Sequence, residues 1–207
     1  MTHDRLDVTP SAYPLLIIIS GSSGVGKDAA LGKMKKEGLP FHYVVTTTTR
    51  PKRPGEKDGV DYHFLSEDKF RQMIMKNQFL EWAKVYGNYY GVPKQDIEEA
   101  LKKGQDTIVK VDVQGAATIK RILPDAVFIF LMAPSTGELA NRLKQRHGSQ
   151  SADLDLRLSK AREEIESLPL FDYVVVNHTD NIDLTVTQIN AIVTAEKNRL
   201  QPRVVRL

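Results

Sequence analysis

Gly21-Ser22-Ser23-Gly24-Val25-Gly26-Lys27-Asp28 has the spacing G-x-x-x-x-G-K. Glycines let a backbone wrap around a phosphate, and successive N–H groups at the start of a helix face the anion. Lys27 adds a point charge within reach of the outer phosphates. The chemistry this predicts is the binding and transfer of a nucleotide's phosphoryl group. The position after the lysine normally carries a Ser or Thr hydroxyl for Mg²⁺, whereas here it is Asp28, a hard ligand that also brings negative charge. A second cluster follows. Arg50 and Arg53 stand three apart, with Tyr62 and Tyr90 further on. Two guanidinium forks and two phenol donors can clamp one phosphate dianion.

These groups need a scaffold. Leu15–Ser20, Thr107–Val111, Val127–Met132 and Tyr173–Val176 are short aliphatic runs, mostly without polar interruption, as in parallel strands buried on both faces. Helical patterns lie between and after them at Lys27–Glu37, Ala116–Ile122, Gly137–Arg146, Asp155–Ser167 and Ile182–Arg199. Strand and helix in alternation predict right-handed crossovers and an α/β fold of three layers around a parallel central sheet. Residues 48–104 break the rhythm with Pro51, Pro54, Gly55, Gly59, Gly87, Gly91 and Pro93 and most of the aromatics, and read as an insertion with its own small sheet. The predicted organisation is a tail at 1–14, a core at 15–47, 105–133 and 168–200, the insertion at 48–104, a charged helical lid at 134–167 and a tail at 201–207.

Composition sets the outer bounds. The 207 residues are 41% hydrophobic and 27% charged, which excludes disordered and fibrous classes. The absence of cysteine removes disulfides, thiolate zinc sites and cysteine nucleophiles. A net charge of +3, with the basic residues dispersed, gives no argument for nucleic acid. The longest apolar run, Leu15–Ile19, is far too short for a membrane span, and residues 1–14 lack the pattern of a signal peptide. The expectation is a cytoplasmic protein without a membrane or nucleic-acid partner, monomeric or homodimeric.

The stretch from Thr48 through Arg50-Pro51-Lys52-Arg53-Pro54-Gly55-Glu56 and Asp58-Gly59-Val60-Asp61-Tyr62 to Leu65 resembles the signature of guanylate kinases. Together with the glycine loop, Glu81-Trp82, Gly87-Asn88-Tyr89-Tyr90-Gly91 and Asp112-Val113-Gln114-Gly115, the resemblance covers residues from about 15 to 195 in the family's order. It implies a P-loop kinase with an inserted GMP-binding region and a helical lid, using Mg-ATP to convert GMP to GDP. By resemblance, Gly21 to Asp28 and Asn177 bind ATP, and Thr46, Arg50, Arg53, Tyr62, Glu81, Tyr90 and Asp112 bind GMP. Lys27, Arg142, Arg146 and Arg157 then stabilise the transferring charge, and Asp28 is the candidate Mg²⁺ ligand. A carboxylate such as Glu81 can accept from guanine N1–H and the 2-amino group, a donor pair adenine lacks.

Three positions depart from the family's pattern. Besides Asp28, Val92 replaces a hydroxyl residue, and Lys110 stands where relatives carry an acid. The opposite swaps at 28 and 110 predict an ion pair between them. Two other readings stand beside the kinase: a ribose 1,5-bisphosphate phosphokinase, whose loop is also G-K-D, and a guanylate kinase-like domain that binds phosphopeptides without catalysis.

Overall fold

The computed structural model describes residues 13–85, 87–147 and 151–207, with side chains throughout except at 146–157. The chain runs β1 (Leu16–Ser20), α1 (Lys27–Lys36), β2 (His42–Tyr43), β3 (Thr47–Thr48), β4 (His63–Phe64), α2 (Glu67–Met75), β5 (Phe79–Val85), β6 (Asn88–Pro93), α3 (Lys94–Lys102), β7 (Thr107–Lys110), α4 (Val113–Ile122), β8 (Val127–Met132), α5 (Thr136–His147), α6 (Ser151–Ile165), β9 (Tyr173–Val176) and α7 (Ile182–Lys197).

Five strands form the parallel main sheet in the order β2-β7-β1-β8-β9. Along β1, Ile17 and Ile19 point to one face and Leu16 and Ile18 to the other, the alternation a pleated strand imposes. The first face packs Met34 of α1 and Val186, Ile189 and Val193 of α7. The second packs Ile97 of α3 and Ile119 of α4. Cover on both faces is why the strands read as uninterrupted apolar runs. The chain lays β2 and β7 on one side of β1 and β8 and β9 on the other. Strand order therefore reverses at β1, and the crevice above its C-terminal end is where α/β sheets hold ligands.

The insertion builds its own four-stranded sheet, in the order β4-β3-β6-β5, with β6 antiparallel to both β3 and β5. Phe70 of α2 stacks on Phe79 at a centroid distance of 4.5 Å and on Tyr89 at 5.3 Å, pinning that helix to the sheet. Gly91 lies beneath these rings, with no room for a side chain. Helix α3 follows directly on β6 but sinks Ile97 and Ala100 below the main sheet, coupling the insertion to the core.

Two local features differ from expectation. Helix α4 starts at Val113, before Ala116, because Asp112 caps it: its carboxylate accepts from Gly115 N–H at 2.8 Å. Strand β2, too short to show a pattern, exists through its pairing with β7. Within the 134–167 region, helix α5 buries Leu139 and Leu143 in the core, beside Gly24 of the glycine loop.

Candidate active site

One cavity of about 670 Å³ runs from the glycine loop to the insertion sheet. Its floor begins where β1 ends. Gly21 takes φ +139°, and a Cβ there would stand 2.0 Å from the carbonyl oxygen of Leu131. Gly26 takes φ +94°, and a Cβ would stand 2.3 Å from Nδ2 of Asn177. Both positions need glycine for conformation and for space. The loop then enters α1 at Lys27, whose buried ammonium donates to the carbonyls of Gly21 and Ser22. Burial pulls its pKa down to about 8.

Asn177 and Arg142 support the loop from behind. The Asn177 amide donates to Val25 O at 2.7 Å and accepts from the Thr185 hydroxyl at 3.0 Å. Arg142 donates to Val25 O at 3.2 Å, to Asn177 O at 2.7 Å and to the Thr179 hydroxyl at 2.9 Å, and it pairs with Glu138. The expected adenine neighbour and the expected lid arginine thus brace the loop in this structure, and Arg142 also lines the cavity. The side chains of Arg146 and Arg157 lie outside the described residues.

On the far wall, Arg50 donates to Glu56 at 2.7 Å, and its guanidinium stacks 5.4 Å above the Tyr62 ring. Glu56 also accepts from Arg53 N–H at 2.8 Å. Burial works against its charge, but these two arginines outweigh that and hold its pKa below the usual value. Tyr62 and Tyr90 meet edge to face at 6.2 Å. Arg50, Arg53, Tyr62 and Tyr90, the four groups expected to hold a phosphate, all border the cavity.

Deeper in, the Glu81 carboxyl is 6% exposed, and its Oε2 has no hydrogen-bond partner among the described residues. Burial and, secondarily, the nearby Asp112 push its pKa up to about 8. Buried polar atoms are nearly always paired, so this one requires an explanation. Thr46 and Val92 line the same recess, and Val92 puts an apolar wall where a hydroxyl was expected.

The predicted ion pair is present. Lys110 Nζ lies 2.6 Å from Asp28 Oδ1. It also donates to Tyr62 Oη at 3.1 Å.

Several lining residues were not singled out from the sequence. Lys160, Glu163, Glu164 and Ser167 present one face of α6 and the turn after it to the cavity, as their i, i+3, i+4, i+7 spacing allows. Burial raises the pKa of Glu164, a shift opposed by a hydrogen bond from Ser22 and by Lys27. Glu56 could have been found from its place three residues beyond Arg53.

The family model described as guanylate kinase matches residues 13–196. Guanylate kinase 2, chloroplastic/mitochondrial, of Oryza sativa subsp. japonica is 45% identical over 207 residues, covering 100% of this chain and 73% of the rice protein. Guanylate kinase of Bacillus subtilis (strain 168) is 42% identical over 193 residues, covering 91% of this chain and 94% of the relative. The crystal structure of guanylate kinase from Anaplasma phagocytophilum superposes with a TM-score of 0.73 at 29% identity, covering 92% of this chain and 90% of that one.

Proposed function

The chain belongs to the guanylate kinase family, and on that premise we propose how its cavity divides the work of an ATP:GMP phosphotransferase. The reaction moves the γ-phosphoryl group of ATP to GMP, giving ADP and GDP. ATP sits with its phosphates on Gly21 to Lys27. The GMP phosphate lies between Arg50, Arg53, Tyr62 and Tyr90, and its base reaches Glu81, with Thr46 and Asp112 beside it. The observation that carries this reading is the Glu81 carboxyl, buried with its Oε2 unpartnered among the described residues, in a cavity that also holds the glycine loop.

Each group has a physical task. Lys27 neutralises the outer phosphates, and their charge in turn restores its ammonium against burial. Arg50 is aimed in advance by Glu56, so little side-chain entropy remains to be lost when GMP arrives. Glu81 leaves itself unsatisfied with adenine, which makes the wrong base costly. Asn177 and Arg142 hold the loop's shape, while Arg146 and Arg157 keep the role of closing on the transferring charge.

Mg²⁺ accompanies ATP in this proposal. Among the described residues no group of three His, Cys, Asp or Glu side chains could hold a metal, and the Asp28 carboxylate is engaged by Lys110. That donor set fits an ion held mainly by phosphates and water, with at most one carboxylate, which Mg²⁺ accepts. When bound it supplies charge neutralisation at the β- and γ-phosphates. Among the described residues no helix is long and apolar enough to cross a membrane, and a cytoplasmic setting belongs to the same proposal.

The test is ADP release with Mg-ATP and, in parallel, GMP, AMP or ribose 1,5-bisphosphate. Turnover is expected with GMP. A preference for the sugar bisphosphate would overturn the reading, since a substrate without a base has no use for Glu81.

A further inference from the structure

Lys110 ends β7 and reaches in two directions. Its ammonium is 2.6 Å from Asp28, the residue directly after the phosphate-loop lysine, and 3.1 Å from the hydroxyl of Tyr62 on the insertion. One anchor belongs to the donor's site and the other to the acceptor's. An ammonium has three N–H donors. Asp28 and Tyr62 take two, and Lys110 lines the cavity between the two phosphate sites. We propose that Lys110 is a catalytic residue whose remaining N–H binds the phosphoryl group in flight, with Asp28 as the residue that positions it.

This inference rests on the placement of ATP and GMP given above. In the transfer, an oxygen of the GMP phosphate bonds to the γ-phosphorus as the bond to the β,γ-bridging oxygen breaks. ADP leaves with that electron pair, and total charge is unchanged. Two anionic substrates must be brought together for this to happen, and a fixed cation between them offsets their repulsion where it is greatest. Lys110 is suited to the task because its side chain is only 15% exposed. Asp28 at 2.6 Å and the Tyr62 hydroxyl at 3.1 Å hold the ammonium from two sides. The reversed charges at 28 and 110 then have one explanation. A cation has moved to the strand that faces the transfer path, and an anion has moved to the helix to hold it there.

The test separates catalysis from binding. Lys110→Met, Lys110→Arg and wild type are compared for kcat and KM, for GMP affinity by calorimetry without ATP or metal, and for thermal midpoint. Loss of one such donor is expected to lower kcat about 100-fold in Lys110→Met. GMP affinity should stay within about threefold, as for an interaction made only in the transition state. Lys110→Arg should recover part of the rate. Asp28→Asn should lower kcat, Asp28→Glu should restore much of it, and Asp28→Asn should add little to Lys110→Met, as coupled residues do. If Lys110→Met does not fold, Lys110→Gln, which keeps a polar group beside Asp28 and Tyr62, decides by the same split. An unchanged kcat, or a loss wholly in KM, overturns the proposal. A wild-type chain inert with GMP overturns the site reading and this inference together. An active wild type with an unimpaired Lys110→Met overturns the inference alone.

Discussion

The carboxyl group of Glu81 lies directly over the α-carbon of Gly115, so that a methyl group built there would stand 2.9 Å from its Oε1 and 3.0 Å from its Oε2. The glycine in the Asp112–Gly115 segment therefore makes room for the base-reading carboxyl. Its own backbone is helical and needs no glycine for conformation. Gly115→Ala should leave stability unchanged or raise it by roughly 0.5–1 kcal/mol, the usual gain of alanine over glycine within a helix. The displaced carboxyl should raise KM for GMP about tenfold, the scale on which small misplacements act. Steady-state kinetics with GMP and AMP, beside a thermal melt, measure both effects. An unchanged KM would show that Glu81 does not read the base.

Glu81 also sets a pH dependence of opposite sign for folding and for binding. Its pKa in the folded chain is about 8, against an ordinary value of 4.5. The folded state therefore holds the proton more tightly than the unfolded state between those values, and stability falls as pH rises through that window. GMP needs the ionised carboxylate, so its affinity should rise with pH up to about 8. The second ionisation of a phosphate monoester, near ~6, lies below the upper part of this range. Lys27, whose pKa is also about 8, loses charge in the same window with the opposite effect on anion binding, so the part of the slope that belongs to Glu81 is the part that Glu81→Gln removes. Calorimetric titration of GMP at several pH values should show that slope in wild type and not in Glu81→Gln. Glu81→Gln should also lose the fall in thermal midpoint toward pH 8.

Asn177 is 4% exposed, and both ends of its amide are bonded, to Val25 O and to the Thr185 hydroxyl. As a brace for the loop it should carry stability as well as ATP binding. Asn177→Ala is expected to cost roughly 1–3 kcal/mol, the range for stranding buried polar groups. It should raise KM for ATP while GMP affinity measured without ATP holds. A residue that only touched adenine would lose ATP affinity with no change in the melt.

What the sequence made legible follows from how local each cause is. Strands β1, β7 and β8 announce themselves because burial on both faces removes polar residues from the run itself. The glycine loop is legible because its geometry needs glycine at Gly21 and Gly26 whatever surrounds it. Strand β2 is not, since His42 and Tyr43 become a strand only by lying beside Thr107 and Ile108. The start of α4 was not legible, because it is set by the Asp112 carboxylate capping Gly115 N–H, a contact the apolar pattern does not show. The pairing of Asp28 with Lys110, across 82 positions, was readable only because two departures from the family's pattern had complementary charge. Glu164 carried no such mark, because its neighbours Ser22 and Lys27 are supplied by the fold.

The C-terminal tail gives the last prediction. Arg203 folds back to bond both oxygens of Glu196, at 2.9 and 3.1 Å, and the carbonyl of Ala126 at 3.1 Å. The Glu196 side chain is fully buried, and it also accepts from the Tyr173 hydroxyl at 2.7 Å. Burial works against its charge, but Arg203 and Tyr173 outweigh this and hold its pKa below the ordinary value. Removing the arginine strands an anion beneath α7 and β9, with Tyr173 and Arg199 as its remaining partners. Arg203→Ala should therefore lose about 3 kcal/mol, the lower end for breaking a buried pair. The lowered pKa means that the pair's contribution is present above the ordinary carboxylate range and is lost as pH falls through the folded value. The variant and wild type should thus converge in stability in acid and separate at neutral pH. KM for GMP should not move, because neither residue borders the cavity. Denaturant melts at pH 3 and pH 7 test this, and equal losses at both would mean that Arg203 acts through packing rather than through its charge.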